Sequence, residues 1–227
     1  MNPLASYLDV AIVEPNMSEK EVIAAVELCL PFHPCTFCVR PSDIHVVKPF
    51  CLETRVGLCV VLGFPHGTQL TESKADEVKR YLACGVDEVD MVCNAGWVRS
   101  GKWEMVKQDI MAVSSFTRPA GVPLKVIFET CFLEDEEIVE LVNVSVDAHA
   151  DFVKTSTGFN GEGAQDSHVK LMVQTAEHRI QVKPSGGIHT RERAKALIGL
   201  GATRLGVPFS SVPAICGDEK DAERSGY

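Results

Sequence analysis

The stretch LKVIFETCFLEDEEIVELVNVSVDAHADFVKTSTGF, residues 124–159, contains the pattern that decides the fold. It begins with a short apolar run, Leu124–Glu129, which predicts a buried strand. Apolar residues then recur at helical spacing in Asp135–Ala148, and Phe152–Ser156 reads as a second strand. A strand, a helix and a strand joined by short loops predict one parallel β-α-β unit.

The same alternation continues along the whole chain. Six further strands are predicted at Tyr7–Val13, Thr36–Val39, Gly57–Gly63, Glu88–Cys93, Gln181–Lys183 and Arg204–Val207. Further helices are predicted at Ser18–Leu30, Ser42–Pro49, Thr71–Cys84, Trp103–Phe116, Ser167–His178 and Thr190–Leu200, with a last short helix from near Ser211. Eight strands and eight helices predict an α/β fold, a single (β/α)8 TIM barrel over residues 1–227 with a mobile tail at 217–227. A doubly wound open sheet is the alternative, but it normally has fewer strands, and no G-x-G-x-x-G follows the first strand.

Composition and charge exclude several classes of function. The chain has 227 residues, of which 45% are hydrophobic, and its formal net charge is −9. An acidic protein lacks the basic face that a nucleic-acid partner needs. The apolar runs are too short to cross a bilayer, the N-terminus has no signal-peptide pattern, and an odd number of cysteines in apolar runs indicates reduced thiols. We therefore expect a soluble cytoplasmic protein with no nucleic-acid partner and no membrane partner.

Four consecutive predicted strands contain charged side chains. These are Asp90 in the fourth strand, Lys125 and Glu129 in the fifth, Lys154 in the sixth and Lys183 in the seventh. Parallel strands are usually buried on both faces, and neighbouring strands lie about 4.8 Å apart. We therefore expect the inward-facing charges to meet in one pocket at the carboxyl ends of the strands, where barrel enzymes have their active sites.

Lysines in such a pocket indicate amine chemistry. An ammonium group cannot attack a carbonyl, but burial and a second cation both lower the pKa of a lysine. A fall from about 10.4 to roughly 7 needs about 4–5 kcal/mol and leaves about half of the amine reactive. Lys183 supplies the second cation for Lys154, and Asp90 is placed to move protons. A single strand lysine is more often ion-paired or directed to solvent, but the joint pattern favours catalysis.

Glycine and serine residues follow the last three predicted strands. Gly158 follows the sixth strand, Gly186 and Gly187 follow the seventh, and Ser210 and Ser211 follow the eighth. Loops at this position in barrels commonly bind phosphate through backbone N–H groups. The sequence therefore predicts a phosphate subsite here.

No metal and no other cofactor is predicted. None of the seven histidines forms a His-x-x-x-His pair on a predicted helix. Cys35 and Cys38 have no second C-x-x-C partner, and two core cysteines on a strand are the simpler interpretation.

Five motifs carry a resemblance to a known family. They are FVKTSTGF (152–159), VKPSGGI (182–188), GVDEVDMVCNAG (85–96), LKVIFET (124–130) and VVLGFPHG (60–67). Together they resemble the deoxyribose-phosphate aldolases, which are class I aldolases and thus aldehyde-lyases. The similarity runs from about Tyr7 to Gly206, and the motifs follow one another along the chain in the family's order. The resemblance implies a (β/α)8 barrel that reversibly cleaves 2-deoxy-D-ribose 5-phosphate to acetaldehyde and D-glyceraldehyde 3-phosphate, with no metal.

The resemblance also implies a role for each site residue. Lys154 forms the Schiff base, Lys183 perturbs its amine and Asp90 takes part in proton relay. The substrate contacts map onto Lys125, Thr157, Gly158, Gly186, Gly187, Ser210 and Ser211. The implied partners are a small sugar phosphate and acetaldehyde, with a homodimer or homotetramer as the assembly, and a C-terminal tyrosine, here Tyr227, that reaches into the pocket in some members.

Two segments depart from the family pattern. The first strand keeps Asp9 but has Ala11 where the family has a threonine. The loop after the last strand reads LGVPFSS (205–211), so that Ser210 and Ser211 recover the phosphate-binding serines only with a two-residue shift. Two alternatives stay open for this reason: a class I aldolase with an altered or non-phosphorylated substrate, and a non-catalytic barrel that binds sugar phosphates.

Overall fold

Eight parallel strands form one sheet in the computed structural model, which describes residues 3–217. The strands are β1 (Leu8–Ile12), β2 (Thr36–Val39), β3 (Gly57–Leu62), β4 (Glu88–Val92), β5 (Leu124–Ile127), β6 (Phe152–Lys154), β7 (Gln181–Lys183) and β8 (Leu205–Pro208). Their order is β7-β6-β5-β4-β3-β2-β1-β8. A bridge between Ser185 and Gly206 joins the two ends, where the Gly206 amide donates to the Pro184 carbonyl at 2.8 Å. The expected (β/α)8 barrel is confirmed.

Helices lie between the strands. They are α1 (Glu19–Cys29), α2 (Ile44–Leu52), α3 (Thr71–Ala83), α4 (Ala95–Arg99), α5 (Trp103–Thr117), α6 (Asp135–Asp147), α7 (Asp166–Ala176), α8 (Arg191–Gly199) and α9 (Val212–Cys216). The predicted capping box of Ser18 and Glu21 starts α1. The sequence prediction missed α4, whose five residues are too few for a periodic pattern. Its signal is Asn94, whose side chain caps the helix by accepting from the Trp97 amide.

Several strands end earlier than predicted. The fifth strand was expected to reach Glu129 and the sixth to reach Ser156, but the sheet pairing ends at Ile127 and Lys154. Glu129 has a left-handed backbone, with φ 57° and ψ 63°, which no strand residue adopts. The polar residues that follow β5 and β6 therefore lie in loops at the carboxyl end of the barrel.

The apolar core lies mainly between the sheet and the helices. Residues such as Val126, Leu141 and Val153 are fully buried there. Among the described residues, a second and smaller apolar cluster lies inside the barrel, with Val13, Cys38, Cys59 and Val61 as its buried members. Charged groups occupy much of the remaining interior of the barrel. The apolar layer between the sheet and the helices therefore provides most of the stability, and the charged interior is available for a functional site.

Within residues 3–217, no helix combines the length and the apolar character that a bilayer crossing requires. Apart from Gly217, the tail predicted to be mobile lies outside the described residues, as does Tyr227.

Gly67 provides a test of how tightly the carboxyl end of the barrel is packed. It has φ +69°, and a Cβ added to it would lie 2.1 Å from the Cys93 carbonyl oxygen. We expect Gly67→Ala to lower the free energy of unfolding by at least about 2 kcal/mol, measured by urea denaturation, because both the backbone angle and the space oppose a side chain. Gly199→Ala is the matched control: its Cβ meets no atom within 4 Å, and alanine favours its helix. Equal stability of the two variants would contradict the close packing.

Candidate active site

The side chain of Asp90 lies at the centre of the charged barrel interior. The Nζ atoms of Lys154 and Lys183 each lie 2.7 Å from its Oδ2 atom, and the Nζ of Lys125 lies 2.9 Å from its Oδ1 atom. Because the Nζ atoms of Lys154 and Lys183 both contact Oδ2, they can be separated by no more than twice 2.7 Å. The charges predicted to meet from the fourth to the seventh strand do so, with Glu129 as the exception described below.

Strand register explains why these groups meet. Asp90 pairs with Lys125 across β4 and β5, and Lys154 pairs with Lys183 across β6 and β7. Paired residues on neighbouring parallel strands point to the same face. All four side chains are buried, and Lys154 is the most exposed of the lysines at 6%. Lys154 is therefore the most accessible of the three amines.

A second carboxylate, that of Asp9 on β1, lies beside the first. Its Oδ2 atom forms an ion pair with Nζ of Lys183 at 2.5 Å, and its Oδ1 atom accepts a hydrogen bond from the Thr36 hydroxyl at 2.7 Å. Arg204 contacts Oδ1 at 2.6 Å. The sequence analysis noted Asp9 only as a retained family residue, and its contact with Lys183 makes it part of the site.

Glu88 and Arg204 complete the cluster near the amino ends of β4 and β8. Neither was predicted from the sequence as a site residue. Arg204 donates to the two carboxylate oxygens of Glu88 at 3.0 and 3.1 Å. Lys125 also forms an ion pair with Glu88. The available signal was spacing, since Glu88 precedes Asp90 by two residues on one strand and so faces the same side.

The ion pairs shift the pKa values of the buried groups. Burial alone disfavours the charged form of Asp90, but Lys125, Lys154 and Lys183 outweigh it and hold the Asp90 pKa well below its ordinary value. The pKa of Asp9 is lowered in the same way. Burial opposes the ammonium form of Lys183 and Lys125, but the nearby carboxylates raise the pKa of both above the ordinary value.

Counting charges distinguishes Lys154 from the other lysines. The cluster contains four cations, Lys125, Lys154, Lys183 and Arg204, and three carboxylates, Asp9, Glu88 and Asp90, which leaves one positive charge in excess. Lys154 contacts one carboxylate, whereas Lys183 contacts two and Lys125 three. Loss of a proton from Lys154 removes the excess charge and breaks the fewest ion pairs. The geometry therefore suits Lys154 as the nucleophilic amine.

Two thiols also contact Asp90. The Sγ atoms of Cys59 and Cys38 lie 3.2 and 3.8 Å from its oxygens, and the three groups are close enough to hold a metal ion. The surroundings disfavour one, because a cation there would have to displace ammonium groups from Asp90. Burial also raises the pKa of the Cys59 thiol well above its ordinary value, whereas metal binding requires a thiolate.

The glycine residues predicted to bind phosphate lie in adjacent loops. Gly158, Gly186 and Gly187 have φ values of +87°, +86° and +73°. A Cβ added to Gly158 or Gly187 would meet no atom within 4 Å, so the space beside them is open. The Ala164 amide donates to the Gly186 carbonyl at 3.1 Å, which ties the loop after β6 to the loop after β7. The two loops form one backbone-lined edge of the barrel mouth.

Ser210, Ser211 and Thr157, the hydroxyl residues predicted to bind substrate with these glycines, differ from one another in burial and in contacts. Ser211 is buried, and its Oγ atom lies 2.9 Å from Nδ1 of His189 in the loop after β7. Ser210 is exposed and lines a separate cavity of about 450 Å³ with α1 residues such as Glu21. The Thr157 hydroxyl donates to Glu129. Ser211 is therefore the serine connected to the glycine loops.

A cavity of about 380 Å³ lies beside the loop after β3. Its lining includes Val13, Val61, Phe64 and Phe159, and the two phenylalanine rings meet edge to face with centroids 5.2 Å apart. Ala11 packs against the small apolar cluster inside the barrel. The position at which the family resemblance implies a threonine hydroxyl thus presents only a methyl group.

The pKa shifts predict how stability depends on pH. Folding lowers the pKa of Asp9 and Asp90 from 3.8, so their contribution is present above that value and is lost as the pH falls below it. Folding raises the pKa of Lys125 and Lys183 from 10.5, so their contribution is present below that value and is lost as the pH rises beyond it. We expect the free energy of unfolding in urea to be nearly constant from about pH 5 to about pH 9 and to fall on both sides. Stability that rises below pH 4 would contradict the ion-pair assignment.

Comparisons with known proteins show similarity to aldolases. The DeoC/LacD family aldolase model matches residues 11–201. A deoxyribose-phosphate aldolase of Lactiplantibacillus plantarum is 42% identical over 207 residues, which cover 91% of this chain and 96% of that protein. Among solved structures, one described as "QR15, an Aldolase" has a TM-score of 0.89 and 34% identity and covers 99% of this chain and 98% of its own. A deoxyribose phosphate aldolase from Aeropyrum pernix, described as having a unique tetrameric structure, has a TM-score of 0.87 and 29% identity, with 96% and 92% coverage.

Proposed function

This chain belongs to the DeoC/LacD family of aldolases, and on that premise we propose that it is a deoxyribose-phosphate aldolase. It reversibly cleaves 2-deoxy-D-ribose 5-phosphate to acetaldehyde and D-glyceraldehyde 3-phosphate. The observation that carries the proposal is the sharing of one Asp90 oxygen by Lys154 and Lys183 inside the barrel. The proposal assigns the whole activity to one barrel domain, because every member of the charged cluster lies on a strand or directly before one.

The reaction proceeds through a Schiff base on Lys154. Its neutral amine adds to the C1 aldehyde carbon of the open-chain sugar, and loss of water gives an iminium ion. Removal of the C3 hydroxyl proton then breaks the C2–C3 bond, and the bonding electrons move into the iminium to form an enamine. D-Glyceraldehyde 3-phosphate leaves, the enamine carbon takes up a proton, and water releases acetaldehyde and restores the amine.

Neighbouring groups assist each of these steps. Lys183 keeps a positive charge beside Lys154, which disfavours a second ammonium there. Asp90 contacts Lys154 directly and passes protons between the amine and the substrate or water. Asp9 holds Lys183 in place, and Lys125 balances the charge on the other oxygen of Asp90.

The phosphate of the substrate binds at the glycine loops. Gly158 and Gly187 leave open space beside their backbones, whereas Gly186 packs closely against Gly163, and backbone N–H groups bind anions well. Ser211 and Thr157 border the same loops, whereas Ser210 takes part only if the loop after β8 rearranges.

A second candidate substrate is favoured by two observations. Val207 and Pro208 at the end of β8 and Phe209 directly after it precede the serines, and the position of Ala11 lacks a hydroxyl. Both changes favour an aldolase that prefers a substrate without a phosphate group, or one whose phosphate lies at a different position. A kcat/KM for 2-deoxyribose 5-phosphate that is much larger than that for 2-deoxyribose would eliminate this second candidate.

The assembly and location form part of the proposal. A homodimer or homotetramer is proposed, since the related Aeropyrum pernix enzyme is described as tetrameric, and the mass of the protein in solution tests this. A cytoplasmic location is proposed, and free thiols such as Cys38, Cys59 and Cys93 support a reducing compartment.

The experiment that tests the function is an assay of retro-aldol turnover. The purified protein is incubated with 2-deoxy-D-ribose 5-phosphate, and release of glyceraldehyde 3-phosphate is followed with a coupling enzyme. We expect turnover in the presence of EDTA, because no step uses a metal. No turnover of either deoxyribose or its 5-phosphate would contradict the proposal and would favour a barrel that binds sugar phosphates without catalysis.

A further inference from the structure

Glu129, the residue two positions after the end of β5, has an unusual backbone. Its φ of 57° and ψ of 63° lie in the left-handed region, which residues with a side chain seldom adopt. Such conformations persist where the surrounding structure holds them, and they are concentrated at functional sites. The strained backbone at Glu129 therefore indicates that its side chain has a specific role.

The Glu129 carboxylate is buried, and its contacts come from one short segment. Glu129 is 2% exposed, and none of the ion pairs within residues 3–217 involves its carboxylate. The Thr157 amide donates to Oε1 at 3.2 Å, the Thr157 hydroxyl donates to Oε2, and the Asn160 side-chain amide donates to Oε2 at 2.9 Å. A buried carboxylate is costly without partners, so these three hydrogen bonds order the segment that supplies them.

That segment, residues 157–160 and here called the 157–160 turn, connects Glu129 to the proposed phosphate subsite. It begins three residues after Lys154 and contains Gly158, whose φ is +87°. The Thr157 hydroxyl also accepts from the Phe159 amide at 3.1 Å, so one hydroxyl joins the carboxylate to the backbone of the turn. Within residues 3–217, the Glu129 carboxylate thus binds the turn and makes no hydrogen bond with Lys154.

We propose that Glu129 is a positioning residue that fixes the 157–160 turn so that the backbone at Gly158 receives the substrate phosphate. This inference rests on the proposed function. Glu129 acts through the turn, so it contributes to the recognition of the phosphorylated end of the substrate and not to bond cleavage at Lys154. Binding energy from a remote phosphate is expressed mainly in the discrimination between phosphorylated and non-phosphorylated substrates.

The test compares Glu129→Gln and Glu129→Ala with the wild-type enzyme. The measured quantity is the ratio of kcat/KM for 2-deoxyribose 5-phosphate to kcat/KM for 2-deoxyribose. Loss of one or two buried hydrogen bonds from the turn should lower this ratio by about tenfold in Glu129→Gln and further in Glu129→Ala, mainly through a higher KM. Borohydride trapping of acetaldehyde on Lys154 should remain in both variants. Glu162→Gln is the matched control, since it removes an exposed carboxylate near the same turn and should leave the ratio unchanged.

A second variant keeps the test decisive if Glu129→Ala does not fold. Thr157→Val removes the hydroxyl that donates to Glu129, so it should lower the ratio as Glu129→Gln does. In the double variant the two effects should be less than additive, because both break the same contact. Equal losses for both substrates, an unchanged ratio, or fully additive effects would overturn the positioning role. A wild-type enzyme that cleaves neither substrate would instead contradict the proposed function itself.

Discussion

Lys154→Ala should reduce the cleavage of 2-deoxyribose 5-phosphate by roughly 10⁴-fold or more, because no other group can form the iminium that accepts the bonding electrons. The other buried lysines are poor substitutes. Lys183 and Lys125 each contact more carboxylates than Lys154 does, and their pKa values are raised. The substitution also removes the excess positive charge of the cluster, so we expect the variant to fold. Initial rates and thermal unfolding of the purified variant measure the two effects separately.

Lys170→Ala is the control for this prediction. Lys170 is an exposed lysine on α7, outside the charged cluster, and its loss should leave the rate within about twofold of the wild type. A folded Lys154→Ala variant that retains more than about a hundredth of the wild-type rate would mean that another amine performs the chemistry.

Lys183→Leu is expected to have the second-largest effect, a loss of roughly 10²–10³-fold in kcat/KM near neutral pH. Lys183 shares Oδ2 of Asp90 with Lys154, so its removal gives Lys154 the whole of that oxygen. Loss of this neighbouring cation favours the ammonium form of Lys154 over the neutral amine that attacks the carbonyl. The Schiff-base residue itself stays in place, so the loss should be smaller than that in Lys154→Ala.

The pH dependence of kcat/KM distinguishes this explanation from simple structural damage. The acid limb of the profile should move to higher pH in Lys183→Leu, so that the deficit shrinks as the pH rises towards 9. A deficit of the same size at every pH would contradict the electrostatic role of Lys183 and indicate a distorted site. Thermal unfolding should accompany the profile, since the variant leaves Asp9 with fewer cationic partners.

The barrel could be predicted from sequence because its β-α-β units are short and regular. All eight strands were found, and β2 and β7 have the predicted bounds. The ends of β5 and β6 were placed too far along the chain, since apolar and β-branched residues continue past the last sheet pairing. The left-handed backbone at Glu129 accompanies hydrogen bonds between its carboxylate and residues almost thirty positions further along the chain. A local sequence pattern contains no signal for such contacts.

Part of the charged cluster could also be predicted from the sequence. Asp90, Lys125 and Lys154 stand out as charges inside buried strands, and strand order alone brings them together. Glu88 and Arg204 were missed because each lies at the start of a strand, where a charge usually faces solvent. The three ion pairs that converge on Asp90, and the connection of Ser211 to His189, depend on distances between distant parts of the chain.

Reductive trapping of the Schiff base tests the central claim most directly. The protein is incubated with acetaldehyde, the imine is reduced with sodium borohydride, and the modified peptide is identified by mass spectrometry. The account predicts one ethyl group on the peptide that contains Lys154, and its absence from Lys154→Ala. A label on Lys183 or Lys125, or no label in a protein that cleaves 2-deoxyribose 5-phosphate, would contradict it.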